Sequence, residues 1–393
     1  MPTPIYILGG ARTPMTDYAG QLRDVSAIDL AAIASKAAFE RSGIPADAVQ
    51  HAVFGNVQQS SSDAVYGARH IALKAGVPIE VPALTVNRLC GSGIQAAISG
   101  AQMILLGEAD IVLTGGTESM SQVPHVIRGL RSGLRLGQGQ LEDTLWSALL
   151  DTHCGCTMAA TAENCATTYG ISREAQDEYA VRSQQLAARA WAEGRFEGEV
   201  VPVEVKTRRG VEMVAKDDHL RPDTTMETLA KLPPAFSKNG CVTAGNASGI
   251  VDGGAALVLA SERAVKDRGL SPLARLTGWA VVGVDPSLMG MGPAPATRLV
   301  LERASLSLDD IDVFEINEAF AAQYLAVEKE LGLDRERVNV NGGAIALGHP
   351  LGMTGTRLLL TLTLELHRRN ATRGIASACI GGGQGIAAIV ERV

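Results

Sequence analysis

Short apolar runs and helical stripes alternate along the chain. Residues 4–10, PIYILGG, form an apolar run stopped by glycines, which predicts a buried strand. Over 27–42, AIDLAAIASKAAFERS, apolar positions recur at helical spacing as far as Gly43, which predicts a helix closed by a glycine C-cap. Residues 48–57, AVQHAVFGNV, read as a second strand. A further helix is expected over 91–106, with Ile94, Ala97, Ile98, Ala101, Ile104 and Leu105 on one face. ADIVLTGG, 109–116, is the next buried strand. Strand–helix–strand alternation implies parallel pairing and hence an α/β fold.

The plan then recurs. Residues 301–317 follow the order of 39–56: helix end, short loop, acidic turn, strand. Residues 339–390 repeat the order of 87–116, with a glycine-rich turn, an apolar helix over 355–369 and a strand over 374–380. GIASACIGGGQGIAAIV is broken by glycines and reads as two short strands rather than a membrane span. A long-period duplication explains this better than a solenoid does. We expect one half over 1–268, carrying Cys90, and a second over 269–393, carrying His349 and Cys379. Between the repeats, about 120–248, the pattern changes. RGLRSGLRLGQGQ is basic and glycine-rich, 171–194 is an amphipathic helix opened by a Ser172 cap, and RPDTTMETLAKLPPAF is loop-like. An insertion this long reads as a cover over a site.

A length of 393 residues exceeds one ordinary core, which agrees with two halves. Aromatics make up only 4% while glycines number 43, which favours closely approached α/β layers. The net charge of −7 argues against nonspecific nucleic-acid binding but leaves room for an anionic small ligand on local cations. The start, MPTPIYILGG, lacks the basic and apolar regions of a secretory leader. Six scattered cysteines do not form a secreted disulfide framework, so a reducing compartment is expected. HCGC, 153–156, has no second ligand pair, so no metal is assigned and its cysteines are read as small buried loop residues.

Candidate chemistry sits at glycine-framed positions. Cys90 precedes GSG and a helix, whose N-terminal dipoles favour a thiolate. His349 lies in a tight GHP turn, an unusual setting for a core histidine. Cys379 ends a strand and enters three glycines, whose N–H groups can face an oxyanion. Asn317 and Glu318 follow an apolar strand, and both are expected to face the same crevice, with a plain helix N-cap as the alternative for Asn317. Strand carboxyl ends are where such sheets build sites.

Together NRLCGSG, AGNASGIVDGGAA, NEAFA, GGAIALGHPLGMTG and CIGGGQG resemble the thiolase family, in order and over nearly the whole chain. TMAATAENCA and DPSLMGMGPAPA resemble its 3-ketoacyl-CoA branch. The resemblance implies duplicated halves in an αβαβα layering with an inserted lid. It implies that Cys90 is the acyl-accepting nucleophile, His349 its base and Cys379 the group that moves the substrate Cα proton. Asn317 would orient a water that, with His349, binds the thioester oxygen, and the Cys90 and Gly381 backbones would form a second oxyanion site. Arg221, Thr224 and Ser248 would touch coenzyme A, and Met158 the acyl end. No cofactor is permanently bound; coenzyme A thioesters are substrates. A homodimer or homotetramer is implied, with no nucleic acid and no membrane span, in the cytoplasm or, in a eukaryote, the mitochondrial matrix. Arg128, Arg131 and Arg135 are read as a solvated or subunit-contact face. Two positions depart from the family pattern. Thr157 stands where many short-chain biosynthetic members carry histidine, and Met353 where a small residue is common. A ketoacyl-synthase-like enzyme and a non-catalytic carrier are the alternatives; Cys379 speaks against the first, and the retained reactive side chains against the second.

Overall fold

The computed structural model describes residues 4–208 and 210–393. Its centre is a ten-stranded sheet. The strands are β1 (Ile5–Arg12), β2 (Thr16–Asp17), β3 (His51–Gly55), β4 (Ala83–Val86), β5 (Ile111–Glu118), β6 (Val251–Ser261), β7 (Ala274–Gly283), β8 (Val313–Ile316), β9 (Arg373–Ile380) and β10 (Gln384–Arg392). They run in the order β8-β9-β10-β7-β1-β6-β5-β3-β4, with β2 beside β6. As the alternation requires, β3 pairs parallel with β5, and β8 parallel with β9. The sheets of the two repeats are not separate. Ile5, Tyr6 and Ile7 pair antiparallel with Leu276, Arg275 and Ala274, which joins them into one surface.

The main helices are α1 (Ala27–Ser42), α2 (Gly67–Ala75), α3 (Ser92–Leu105), α4 (Met158–Tyr169), α5 (Arg173–Ala192), α6 (Pro293–Ala304), α7 (Ala321–Leu331) and α8 (Leu351–Arg368). Three apolar clusters show the layering. α1 and α2 bury Ile28, Phe39 and Ile71 on one outer face, and α6 and α7 bury Val300 and Leu325 on the other. Between them, α3 and α8 share one core through Ile94, Ile98, Leu359 and Leu362. That is the αβαβα layering.

The α1 ends match expectation because both caps form. Ser26 accepts from the Asp29 amide, and Gly43 adopts φ 66°. On α3 the expected face is buried except Leu105, which is 41% exposed on the last turn. The strand expected over 48–57 is confined to His51–Gly55, because Ala46–Ala48 form a 3₁₀ turn. The stretch RPDTTMETLAKLPPAF is not wholly loop; Thr225 and Thr228 form a capping box for a short helix, Met226–Ala230. The insertion is also anchored rather than loose. Fully buried Arg12 holds Glu199 and Asp217, each at 2.7 Å.

α3 and α8 touch backbone to backbone. A Cβ on Gly93 would lie 2.3 Å from the Thr356 nitrogen, and one on Gly355 would lie 2.3 Å from the Ile94 nitrogen. No side chain fits there, so these glycines bring the two helix starts side by side. Gly355→Ala is therefore expected to destabilise the fold by about 1–3 kcal/mol through overpacking. A denaturant titration checks this; an unchanged midpoint would contradict the close approach.

Candidate active site

Cys90 lies at the start of α3, on a turn that its neighbours hold. Leu89 has φ 46°, an uncommon conformation for a branched side chain. The Ser92 hydroxyl accepts from the Arg88 amide at 2.8 Å and donates to the Leu89 carbonyl at 2.7 Å. The expected thiolate is not found. Burial pushes the Cys90 thiol up to about 11, Glu118 adds to this, and the Gly381 N–H only partly opposes it. Desolvation thus outweighs the helix start. In the free protein, alkylation of Cys90 by iodoacetamide is expected to rise about tenfold per pH unit between about 7 and 10. Peptide mass spectrometry checks this; a rate flat across that window would mean a neighbour already ionises the thiol.

β9 delivers Cys379 to the same place. Its thiol is fully buried and raised well above the ordinary range, first by burial and then by the adjacent Cys90. After β9 the chain turns through Gly381, whose N–H faces Cys90. Met158 lies against Gly381 and joins Phe320, Met289 and Ala319 around Cys379.

β8 runs parallel to β9 and ends one residue before Asn317, whose amide N–H donates to the Ser377 carbonyl at 2.9 Å. Asn317 does not cap a helix; α7 begins at Ala321 with Phe320 as its N-cap. Its Nδ2 instead lies 3.3 Å from His349 Nε2, while its buried Oδ1 has no protein partner among the described residues. Glu318 does not enter the crevice as expected. Its carboxylate turns the other way and accepts from Tyr179 Oη and Ser183 Oγ of α5, each at 2.7 Å, and from the Ile345 amide at 3.1 Å. It fastens the insertion to the chain that leads to His349.

His349 is buried just before α8, after Gly348 at φ 93°. A Cβ at Gly348 would lie 2.4 Å from Val251, so only glycine admits this turn. Its Nδ1 meets Thr354 Oγ1 at 2.6 Å. Burial, helped by Arg357, lowers the imidazole to about 3, so it stays neutral at physiological pH. Neutral imidazole can accept a proton.

His349 opens into a cavity of about 310 Å³. Ser248, Leu351, Phe320, Trp146, Leu149 and Phe236 are among the residues that line it. Cys90 packs with Leu351, Met120 and Leu145 at the same wall. The structure therefore gathers Cys90, Cys379, Gly381, Met158, Asn317, His349 and Ser248. Arg221 and Thr224 stand apart on the surface. Arg221 pairs with Asp17 at 2.8 Å, and the Thr224 hydroxyl donates to the Arg221 carbonyl at 2.7 Å. Arg128, Arg131 and Arg135 are exposed, with Arg128 paired to Glu142. The HCGC cysteines are half-exposed rather than buried, and no group of three or more metal-ligating side chains occurs among the described residues.

Two polar groups at the site went unread in the sequence. Glu118 accepts from the Val57, Gln58 and Gly352 amides, and burial raises it to about 7. Thr354 touches His349. Glu118 had only its place at the end of a strand as a signal, and Thr354 only its place in the first turn after the histidine.

Residues 5–263 match the thiolase N-terminal domain, and residues 270–392 match the thiolase C-terminal domain. The chain belongs to the thiolase family. It is an acyltransferase of this kind. It is 52% identical over 388 residues to the mitochondrial 3-ketoacyl-CoA thiolase of Homo sapiens, covering 98% of each chain. It is 47% identical over 392 residues to the acetyl-CoA acetyltransferase of Cupriavidus necator, covering 99% of this chain and all of the other. The crystal structure of human mitochondrial 3-ketoacyl-CoA thiolase in complex with CoA superposes with a TM-score of 0.97 at 51% identity, over 100% of this chain and 98% of the other.

Proposed function

We propose that this thiolase cleaves 3-ketoacyl-CoA to acetyl-CoA and a shortened acyl-CoA, and in reverse condenses acetyl units. The observation that carries this is the meeting of two sulfurs and an amide N–H behind residues that line the same cavity as the neutral imidazole of His349. Cys90 attacks the keto carbonyl as its proton passes to His349 Nε2, and the Cα–Cβ bond breaks. Cys379 gives its proton to the departing acetyl-CoA carbanion. The proton on His349 then passes to the Cys379 thiolate, which restores both groups. Coenzyme A gives its thiol proton to His349 and takes the acyl group from Cys90, and His349 returns the proton to the Cys90 thiolate. The raised thiol and lowered imidazole support this order, since neither is ionised beforehand. The N–H groups of Cys90 and Gly381 receive one oxyanion, each donor contributing about 3 kcal/mol. The unpaired Asn317 Oδ1 supports the second, because it can hold a water whose other hydrogen faces the thioester oxygen.

Arg221 is an exposed cation that can meet a phosphate, with Thr224 beside it, and Ser248 lies in the cavity wall; these support the proposed coenzyme A contacts. Met158 beside Cys379 supports an acyl contact. Coenzyme A serves as substrate, with no resident cofactor. The exposed edge strand β4, with Leu84 41% exposed, supports a homodimer or homotetramer. No described helix is long and apolar enough to cross a membrane. The cytoplasm or the mitochondrial matrix is the setting we favour, with the two functional halves divided near residue 268.

Thr157 favours a broad chain-length range. Its hydroxyl caps α4 by accepting from the Ala160 amide at 3.2 Å, so no imidazole narrows the acyl end. Thr157→His is expected to shift kcat/KM towards short chains by about tenfold and to cost about 1 kcal/mol through the lost cap. Thiolysis assays on 3-ketoacyl-CoAs of about four to sixteen carbons test both the activity and this range. Absence of thiolysis at every length would remove the proposed reaction, and unchanged chain-length ratios in the variant would remove the role of Thr157.

A further inference from the structure

The hydrogen bonds around His349 select one of its two neutral forms. Thr354 Oγ1 carries a single hydrogen, and the Pro350 carbonyl lies 3.1 Å away in position to accept it. With the hydrogen there, the hydroxyl accepts from His349 Nδ1 at 2.6 Å, and Nδ1 carries the ring hydrogen. The other side of the ring agrees independently. Asn317 Nδ2 can only donate, and it lies 3.3 Å from Nε2, so Nε2 presents its lone pair. Both His349 and Thr354 are buried, and Thr354 is 1% exposed, so bulk water does not compete for the hydroxyl. The Thr354 amide also donates to the Pro350 carbonyl, at 3.0 Å, which fixes the hydroxyl's backbone as well.

The geometry points to Thr354 as a positioning residue that holds His349 in the Nδ1–H form, so that Nε2 is the atom that receives the proton. Without the hydroxyl, the imidazole is free to populate the Nε2–H form, which has no lone pair on the catalytic side. Thr354 does not line the cavity, and its hydroxyl meets only His349 and the Pro350 carbonyl among the described residues, so it acts through His349. The inference rests on the reading of His349 as the base, and the test separates the two.

Full-length chain labelled with ¹⁵N-histidine gives the direct readout. The His349 signals are assigned by their loss in His349→Asn. The wild-type protein is expected to show a protonated Nδ1 and an unprotonated Nε2 at neutral pH; a protonated Nε2 would overturn the inference without any variant. Thr354→Val keeps the side-chain shape and removes the hydroxyl. It is expected to mix the two tautomers and to lower kcat about 10- to 100-fold, part of what a positioned base supplies, with KM for coenzyme A unchanged. Thr354→Ser restores the hydroxyl and is expected to recover kcat to within about twofold of wild type, which a loss of packing alone would not permit. If Thr354→Val turns over normally while His349→Asn is inactive, the positioning role fails and the base survives. If His349→Asn also turns over normally, both fail.

Discussion

A Cys90→Ala variant is expected to lose about 10⁵-fold or more in kcat, because a covalent step without its nucleophile has no parallel route. The surrounding thiols cannot stand in. Cys379 and Cys165 are both fully buried, and burial raises both. The structural cost should be small, since Cys90 is only half-buried and the turn beneath it is held by Ser92 rather than by the sulfur. A steady-state thiolysis assay, with mass spectrometry of the 86–107 segment for a bound acyl group, decides the matter. Turnover within about tenfold of wild type would take Cys90 out of the mechanism.

Cys379→Ala should separate the two halves of the reaction. Acyl transfer from a simple thioester onto Cys90 needs no proton at a carbon atom, so a burst of acyl-enzyme should persist. Condensation and cleavage both need the Cα proton moved, and should fall about 10³-fold. The raised thiol suits this work. A group that holds its proton firmly can return it to a carbanion, and one neighboured by Cys90 changes its hold as that sulfur is acylated. Rapid-quench measurement of the burst, set beside steady-state condensation, gives both numbers. Normal condensation would remove Cys379 from proton transfer.

Much of this arrangement could be read from the chain because its signals were local. Ser26 and Gly43 bound α1 by side-chain and backbone chemistry confined to a few residues. The Ser172 cap marks the start of α5 in the same way, accepting from the Ala175 amide. The long-range consequences were harder to see. Nothing near Ile5 announces its pairing with Leu276, so a single sheet looked like two. Leu105 follows the helical period yet faces outward, because the period names a face without saying where the neighbouring layer stops. Glu318 looked catalytic beside Asn317, but adjacent residues leave the backbone in different directions, and α5 claims the carboxylate. The Cys90 thiol was misjudged for a related reason. A helix start is visible in sequence, whereas burial by Leu351, Met120 and Leu145 is a property of the assembled fold. His349 could be picked out because the glycines around it serve one backbone turn, and it is the one histidine among the described residues that line the cavity.

The crossing of α3 and α8 at Gly93 and Gly355 brings the helix starts that follow Cys90 and His349 side by side, largely through main-chain atoms. The cavity wall that would read an acyl chain is built elsewhere, partly by Trp146, Leu149 and Phe236 from the inserted segment. Much of the cavity lining and the crossing that sets the helix starts thus come from different parts of the polypeptide. A designer can exchange the inserted segment's lining to admit new carbon skeletons while the reacting centre keeps its dimensions.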